Sequence, residues 1–220
     1  MSAFAHFILV ADAIQNLTDA RYFSAYNFDW MGFQLDPTDP EALPLVQVKA
    51  IMPWLSGPSF YGSFGPMQRP EEILALAEEL ALERVQVGQF FPKSGLLALS
   101  SLKLMQHYVV ESLSDFVENL PSFWAERADV VECLVLDFAR NGLKPSDLDA
   151  MPEAKRLLDL LLLKYPKRIL LHWTWSKEED LLRWKDGLAL GFVFRGGAEE
   201  RVGYKSFDDL DPFMELILGE

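Results

Sequence analysis

Several apolar runs in this sequence end on groups able to move protons or hold charge. The run His6 to Ala11 ends on Asp12, Val130 to Leu136 on Asp137, Arg168 to Leu171 on His172-Trp173, and Leu188 to Phe194 on Arg195-Gly196-Gly197. Two carboxyls that face each other can divide acid and base roles, provided burial or mutual repulsion keeps one protonated while the other stays ionised. The bland alternative for Asp12 is a polar strand end facing water. Arg195 offers a guanidinium suited to bidentate contact with an anion, and Gly196-Gly197 would let backbone N–H groups approach it closely. An ordinary strand-to-helix turn uses the same glycines. The large rings of His172, Trp173 and Trp175, together with the like charge of Glu41, work against an anion there.

Other chemically suggestive residues read as structural. His6 and His107 have no carboxylate or cysteine at metal-ligand spacing, so they are assigned to surface or core and no metal site is expected. No P-loop, dinucleotide fingerprint or Ser/His/Asp constellation is present, and no cofactor is expected. Cys133, the single cysteine, lies within the apolar stretch Val130 to Leu136, where a buried, inert thiol is the usual case. Trp30, Trp124 and Trp184 fall within regular elements and are assigned to core packing. Asp208, Asp209 and Asp211 fit the start of a last helix, as caps and dipole partners.

The elements that would position these groups alternate along the whole chain. Strands are expected at His6 to Ala11, Trp30 to Leu35, Phe60 to Phe64, Val85 to Val87, Leu102 to Val110, Val130 to Asp137, Arg168 to Trp173 and Leu188 to Phe194. Helices are expected from Asn16, a good N-cap, to about Ala25, over Glu71 to Leu82 after Pro70, and over Ser114 to Glu126. Further helical patterns cover Pro152 to Lys164, Lys177 to Lys185 and Phe207 to Leu218, while Phe90 to Ser101 is the least regular stretch. Eight such units without a Gly-rich turn after the first strand favour an α/β fold closed as a (β/α)₈ TIM barrel over an open doubly wound sheet. A length of 220 residues, half of them hydrophobic, fits a single domain spanning 1–220. In such a barrel, chemistry belongs at the C-terminal ends of the strands, where Asp12, Glu41, Gly88, Asp137, His172 and Arg195 fall.

Lys and Arg total 20 against 33 Asp and Glu, and the formal charge of −13 repels nucleic acid and anionic membranes. No apolar run approaches the roughly 18 residues of a membrane span, and no secretory leader pattern opens the chain. A soluble, cytoplasmic protein with a small-molecule ligand as its partner is expected. Oligomeric state is left open.

The stretch Ile14 to Arg21 (IQNLTDAR), then Asp29-Trp30-Met31-Gly32-Phe33 and Pro37 to Pro40, resembles the opening of the phosphoribosylanthranilate isomerases. Tyr61-Gly62-Ser63-Phe64 is similar to that family's V-G-V-F strand, Val85-Gln86-Val87 to its V-Q-L-H-G strand, and Val135-Leu136-Asp137 to the sixth strand that ends in its catalytic aspartate. Gly197-Ala198-Glu199 and Gly203-Tyr204-Lys205 match its S-G-V-E and P-G-V-K elements. The resemblance covers nearly the whole chain and implies a barrel isomerase acting on a sugar phosphate by an Amadori rearrangement. An acid protonates the ring oxygen of an aminoribose and a base removes the C2 proton.

The functional positions depart from the family's pattern. Asp12 stands at its cysteine base, Val10 at its lysine, Glu41 at the arginine of its S-P-R loop and Gly88 at the histidine of V-Q-L-H-G. Arg140-Asn141-Gly142 replaces its G-G-T-G loop, and His172-Trp173 its phosphate-binding glycine pair. A barrel isomerase of histidine biosynthesis, similar in fold and reaction, uses two aspartates at comparable strand ends, so the resemblance leaves Asp12 and Asp137 as a catalytic pair. Glu41, His172, Trp173, Arg195, Gly196 and Gly197 are the expected substrate-binding positions. The expectation is an isomerase-like barrel with altered substrate and weakened or lost tryptophan-pathway activity. The alternatives are a non-catalytic binding barrel and a working isomerase with an Asp/Asp pair.

Overall fold

Parallel strands buried on both faces read as continuous apolar runs, and in the computed structural model, which describes residues 7–165, 168–184, 191–196 and 206–218, those runs close on themselves. In chain order the elements are β1 (Ile8–Asp12), α1 (Leu17–Ala25), β2 (Trp30–Gln34), α2 (Leu45–Ile51), β3 (Ser59–Phe64), α3 (Pro70–Glu79), β4 (Arg84–Gly88) and α4 (Lys93–Ala98). They continue with β5 (Lys103–Val109), α5 (Leu113–Ala125), β6 (Cys133–Asp137), α6 (Pro152–Lys164), β7 (Ile169–His172), α7 (Glu178–Leu182), β8 (Gly191–Arg195) and α8 (Asp211–Leu218). Neighbouring strands pair in sequence order, and β8 pairs with β1 to close the barrel.

Local chemistry sets the boundaries. The Asn16 side chain accepts a hydrogen bond from the Asp19 N–H at 3.0 Å and starts α1, and Pro70 opens α3 at its first turn. Helix α2 was not expected from the sequence: it has only seven residues and begins after Pro44, which supplies no side-chain cap. Helix α8 starts at Asp211, not at Phe207. The Phe207 ring instead stacks on Tyr22 at 3.8 Å, and Asp211 accepts a hydrogen bond from the Tyr22 hydroxyl at 2.7 Å. No helix among the described residues is long and apolar enough to cross a membrane.

Side chains alternate between the barrel interior and the layer beneath the helices. The outer layer holds most of the core, including Phe23, Phe116, Trp124, Leu158 and Phe213. Inside the barrel, Val10, Tyr61, Met105, Cys133, Val135, Leu170 and Val193 form a separate buried plug. Below it, the Arg84 guanidinium lies 3.8 Å over the Trp30 ring and 3.2 Å from Glu132, so Trp30 adds a cation–π contact to its packing against the plug. Burial pushes the Cys133 thiol up to about 12, which keeps it inert. Above the plug, at the C-terminal ends of the strands, the interior turns polar.

Candidate functional site

β1 and β8 close the barrel with Asp12 opposite Arg195 in register, and this pairing decides how both are used. Asp12 is buried. Its Oδ2 accepts from Arg195 Nη2 at 2.6 Å and Nε at 3.0 Å, while its Oδ1 accepts from the Tyr61 hydroxyl at 2.8 Å. Burial acts to raise the Asp12 carboxyl, but the Arg195 charge, then His107 and the Tyr61 hydrogen bond, outweigh it and hold Asp12 below the usual carboxylate range. Asp12 in turn holds the Arg195 guanidinium above its ordinary range, and burial with Asp12 pushes the Tyr61 phenol well up. A second arm of Arg195, Nη1, lies 3.5 Å from Glu41 Oε2. The guanidinium expected to bind a ligand anion is thus engaged by two carboxylates of its own chain.

Asp137 lies at the same end of the barrel, as expected, and is held there by two histidines. Its Oδ2 is 2.9 Å from His107 Nε2, its Oδ1 is 2.9 Å from His172 Nδ1, and the Arg140 backbone N–H donates to Oδ1 at 3.0 Å. Burial again acts to raise the group, and the hydrogen bonds from His107 and His172 overcome it, leaving Asp137 far below the usual carboxylate range. Both carboxyls are therefore ionised. The expected split, with one acid kept protonated, does not arise, because each has gained a cation or N–H partners that burial alone would not supply.

An open cavity of about 230 Å³ at the mouth is lined by Asp12, Gln34, Ser63, Gln86, His107 and Arg195, with Glu41, Asp36, Asp39 and Arg140 toward its rim. Gln86 Nε2 donates to Ser63 Oγ at 3.0 Å, and Gln34 Nε2 to Asp39 at 3.1 Å, so two amides and a hydroxyl join the charged groups of the wall. Gly88 opens the wall beside His107, its register partner: a Cβ placed there would meet nothing within 4 Å.

His107 was assigned to surface or core from the sequence, and that assignment is corrected here. Its partner carboxylate comes from β6, so no spacing along the chain reveals it. The strand pairing does: Val109 is opposite Asp137, and His107 is the next inward residue on β5.

The remaining expected positions separate. His172 is buried behind Asp137, outside the cavity wall. Trp173 does not crowd the mouth. One residue beyond an inward histidine, it points into the layer beneath the helices, where its ring stacks on Phe138 at 3.7 Å. Trp175 likewise packs against Phe192 and Phe194 at 5.5 and 5.7 Å. Gly196 follows β8 half-buried, whereas Gly197, with Ala198-Glu199 and Gly203-Tyr204-Lys205, lies outside the described residues. Among the described residues, no three His, Cys, Asp or Glu side chains gather as metal ligands.

Both carboxyls are lower in the folded chain than in the unfolded one, where aspartate titrates near about 3.9. Their contribution to stability is thus complete above about pH 5 and is lost as pH falls toward the folded values. The urea midpoint is expected to drop between about pH 5 and pH 3, and Asp137→Asn to remove part of that drop. A pH-independent midpoint would contradict the ion pairing described.

The fold is that of the phosphoribosylanthranilate isomerases. The chain is similar to the enzyme of Thermus thermophilus, with a TM-score of 0.71, 21% identity, and coverage of 97% of this chain and 99% of that one. It is similar to the enzyme of Thermotoga maritima, with a TM-score of 0.71, 19% identity, and coverage of 97% and 100%. For the enzyme of Thermococcus kodakaraensis the TM-score is 0.70 and the identity 18%, again over 97% and 100%. At such identities the likeness is one of fold. No family model matches the chain, and no curated protein matches it by sequence.

Proposed function

We propose that this chain is a single-domain, cytoplasmic barrel of the phosphoribosylanthranilate isomerase type whose mouth has been rebuilt for acid–base chemistry on a different small molecule, with tryptophan-pathway activity weakened or lost. The observation that carries this reading is the state of Asp137. The rearrangement requires a proton donor at the sugar ring oxygen, and the aspartate at the expected position is ionised, with both oxygens taken by His107 and His172. Asp12 is no substitute donor, being ionised against Arg195.

Loss of a general acid typically removes about 10² to 10⁴ in rate. Turnover of phosphoribosylanthranilate, followed by loss of its fluorescence, is accordingly expected at least about 100-fold below that of a working isomerase. A normal rate, abolished by Asp137→Asn, would restore the tryptophan-pathway function. Inorganic phosphate is expected to bind only weakly in calorimetry, because Arg195 is already engaged and Asp36, Asp39 and Glu41 rim the cavity. The open, polar mouth favours an enzyme, and the engagement of Asp12 by Arg195 favours a binding barrel. Proton exchange on small probes, described next, separates the two.

A further inference from the structure

We propose that His107, not either aspartate, moves the proton at this site, and that its substrate is a short, unphosphorylated hydroxy-carbonyl compound. The inference rests on the reading of the mouth as an acid–base site and names the group and the substrate class. Of the hydrogen-bonded set His107, Asp137 and His172, only His107 lines the cavity. Its side chain is 19% exposed, against 1% for the carboxylate behind it. With Nε2–H donating to Asp137, Nδ1 of the same ring keeps its lone pair and can accept a proton. Asp137 then balances the imidazolium charge. His172 and the Arg140 N–H, both on Oδ1, fix the plane of that carboxylate and with it the His107 ring.

The cavity selects the substrate by size and polarity. Its volume of about 230 Å³ lies below the roughly 300–1,000 Å³ of pockets for drug-sized ligands, which suits a compound of a few carbons. The amides of Gln34 and Gln86 and the Ser63 hydroxyl offer partners to hydroxyl groups. Arg195 is spent on Asp12 and Glu41, and Arg140 is exposed at the rim, so no buried, unengaged cation lines the described wall to hold a phosphate.

In the step assigned to it, Nδ1 of His107 takes the proton from the hydroxyl-bearing carbon next to a carbonyl. The C–H electron pair passes into an enediolate. The imidazolium returns a proton to the former carbonyl carbon while the hydroxyl proton passes between the two oxygens. Atoms and electrons balance, and neither oxidant nor reductant is required.

Proton transfer at carbon is visible without knowing the natural substrate. In D₂O, with D-glyceraldehyde, D-erythrose, D-ribose and D-xylose as probes, the protein is expected to exchange the proton at C2 of at least one, read by ¹H NMR against a protein-free control. His107→Gln, whose amide can still donate to Asp137, is expected to lower that exchange at least about 100-fold. His107→Gly is expected to lose it and to regain part of it on addition of imidazole. Gly88→Leu fills the cavity and is expected to abolish exchange while the protein stays folded by circular dichroism. Exchange that survives in His107→Gln would overturn the role of His107 and leave the acid–base reading intact. Exchange that survives in Gly88→Leu would overturn the location. No exchange of any probe by the wild-type protein would instead bring down the enzyme reading itself, in favour of the binding barrel.

Discussion

Trp173→Gly is expected to destabilise this protein by about 3–5 kcal/mol, the usual cost of deleting a buried aromatic, with a further contribution of roughly 0.5–1 kcal/mol from glycine's flexibility. The Trp173 ring is 2% exposed and lies 3.7 Å from Phe138 at an interplanar angle of 8°. Its loss leaves a void between sheet and helices that rigid neighbours cannot fill. Domains of this kind are stable by only about 5–15 kcal/mol, so the variant should unfold at a far lower urea concentration. Trp173→Phe is the control. It keeps the stack and removes an indole N–H that has no hydrogen-bond partner among the described residues, and should cost much less. A loss below about 1 kcal/mol for the glycine variant, well under that usual cost, would mean that the ring is not packed as described. Rebuilding a phosphate site by placing glycines at 172 and 173 would accordingly damage the scaffold before it helped the ligand.

The second large effect is expected at the β1–β8 seam. Arg195→Met strands the Asp12 carboxylate with Tyr61 as its remaining hydrogen-bond donor among the described residues, and breaking a buried ion pair on one side costs about 3–5 kcal/mol. The Arg195 side chain is 27% exposed, which places the effect toward the lower end of that range. With the guanidinium gone, the largest lowering influence on Asp12 is lost and burial raises its folded pKa. Stability then gains less as pH rises, so the deficit of Arg195→Met should be larger at pH 7 than at pH 4. The double variant Asp12→Leu/Arg195→Met should recover much of the loss, since an apolar pair leaves no charge uncompensated. Urea titrations of the four proteins at both pH values measure the coupling. Additive single effects, or a deficit independent of pH, would show that the pair is not what holds Asp12.

The fold was legible because parallel strands buried on both faces leave continuous apolar runs, and each of the eight appears in the barrel within a few residues of its expected place. The exception, α2, is short, uncapped and set between prolines, so neither period nor cap marks it. The site was legible in part. Asp12, Asp137 and Arg195 stood out because they end apolar runs, and they do gather at one end of the barrel. Their pairing did not stand out, since the partners are contributed by other strands. Closure alone brings Arg195 to Asp12 across 183 positions of sequence, and His107 reaches Asp137 across 30. Trp173 was misjudged for a simpler reason. Adjacent residues at a strand end face opposite sides, so if His172 is inside, Trp173 must be outside.

The register that sets Gly88 beside His107 bears on how such barrels diverge. Read along the chain, positions 88 and 107 look unrelated, yet as register partners they stand about 4.8 Å apart, the spacing of neighbouring strands. Inward positions at one height of a closed barrel form a circle, and a functional group can step around that circle while the scaffold stays as it was. A histidine carried on β4 at position 88 instead of on β5 at position 107 would thus present its ring to the same cavity.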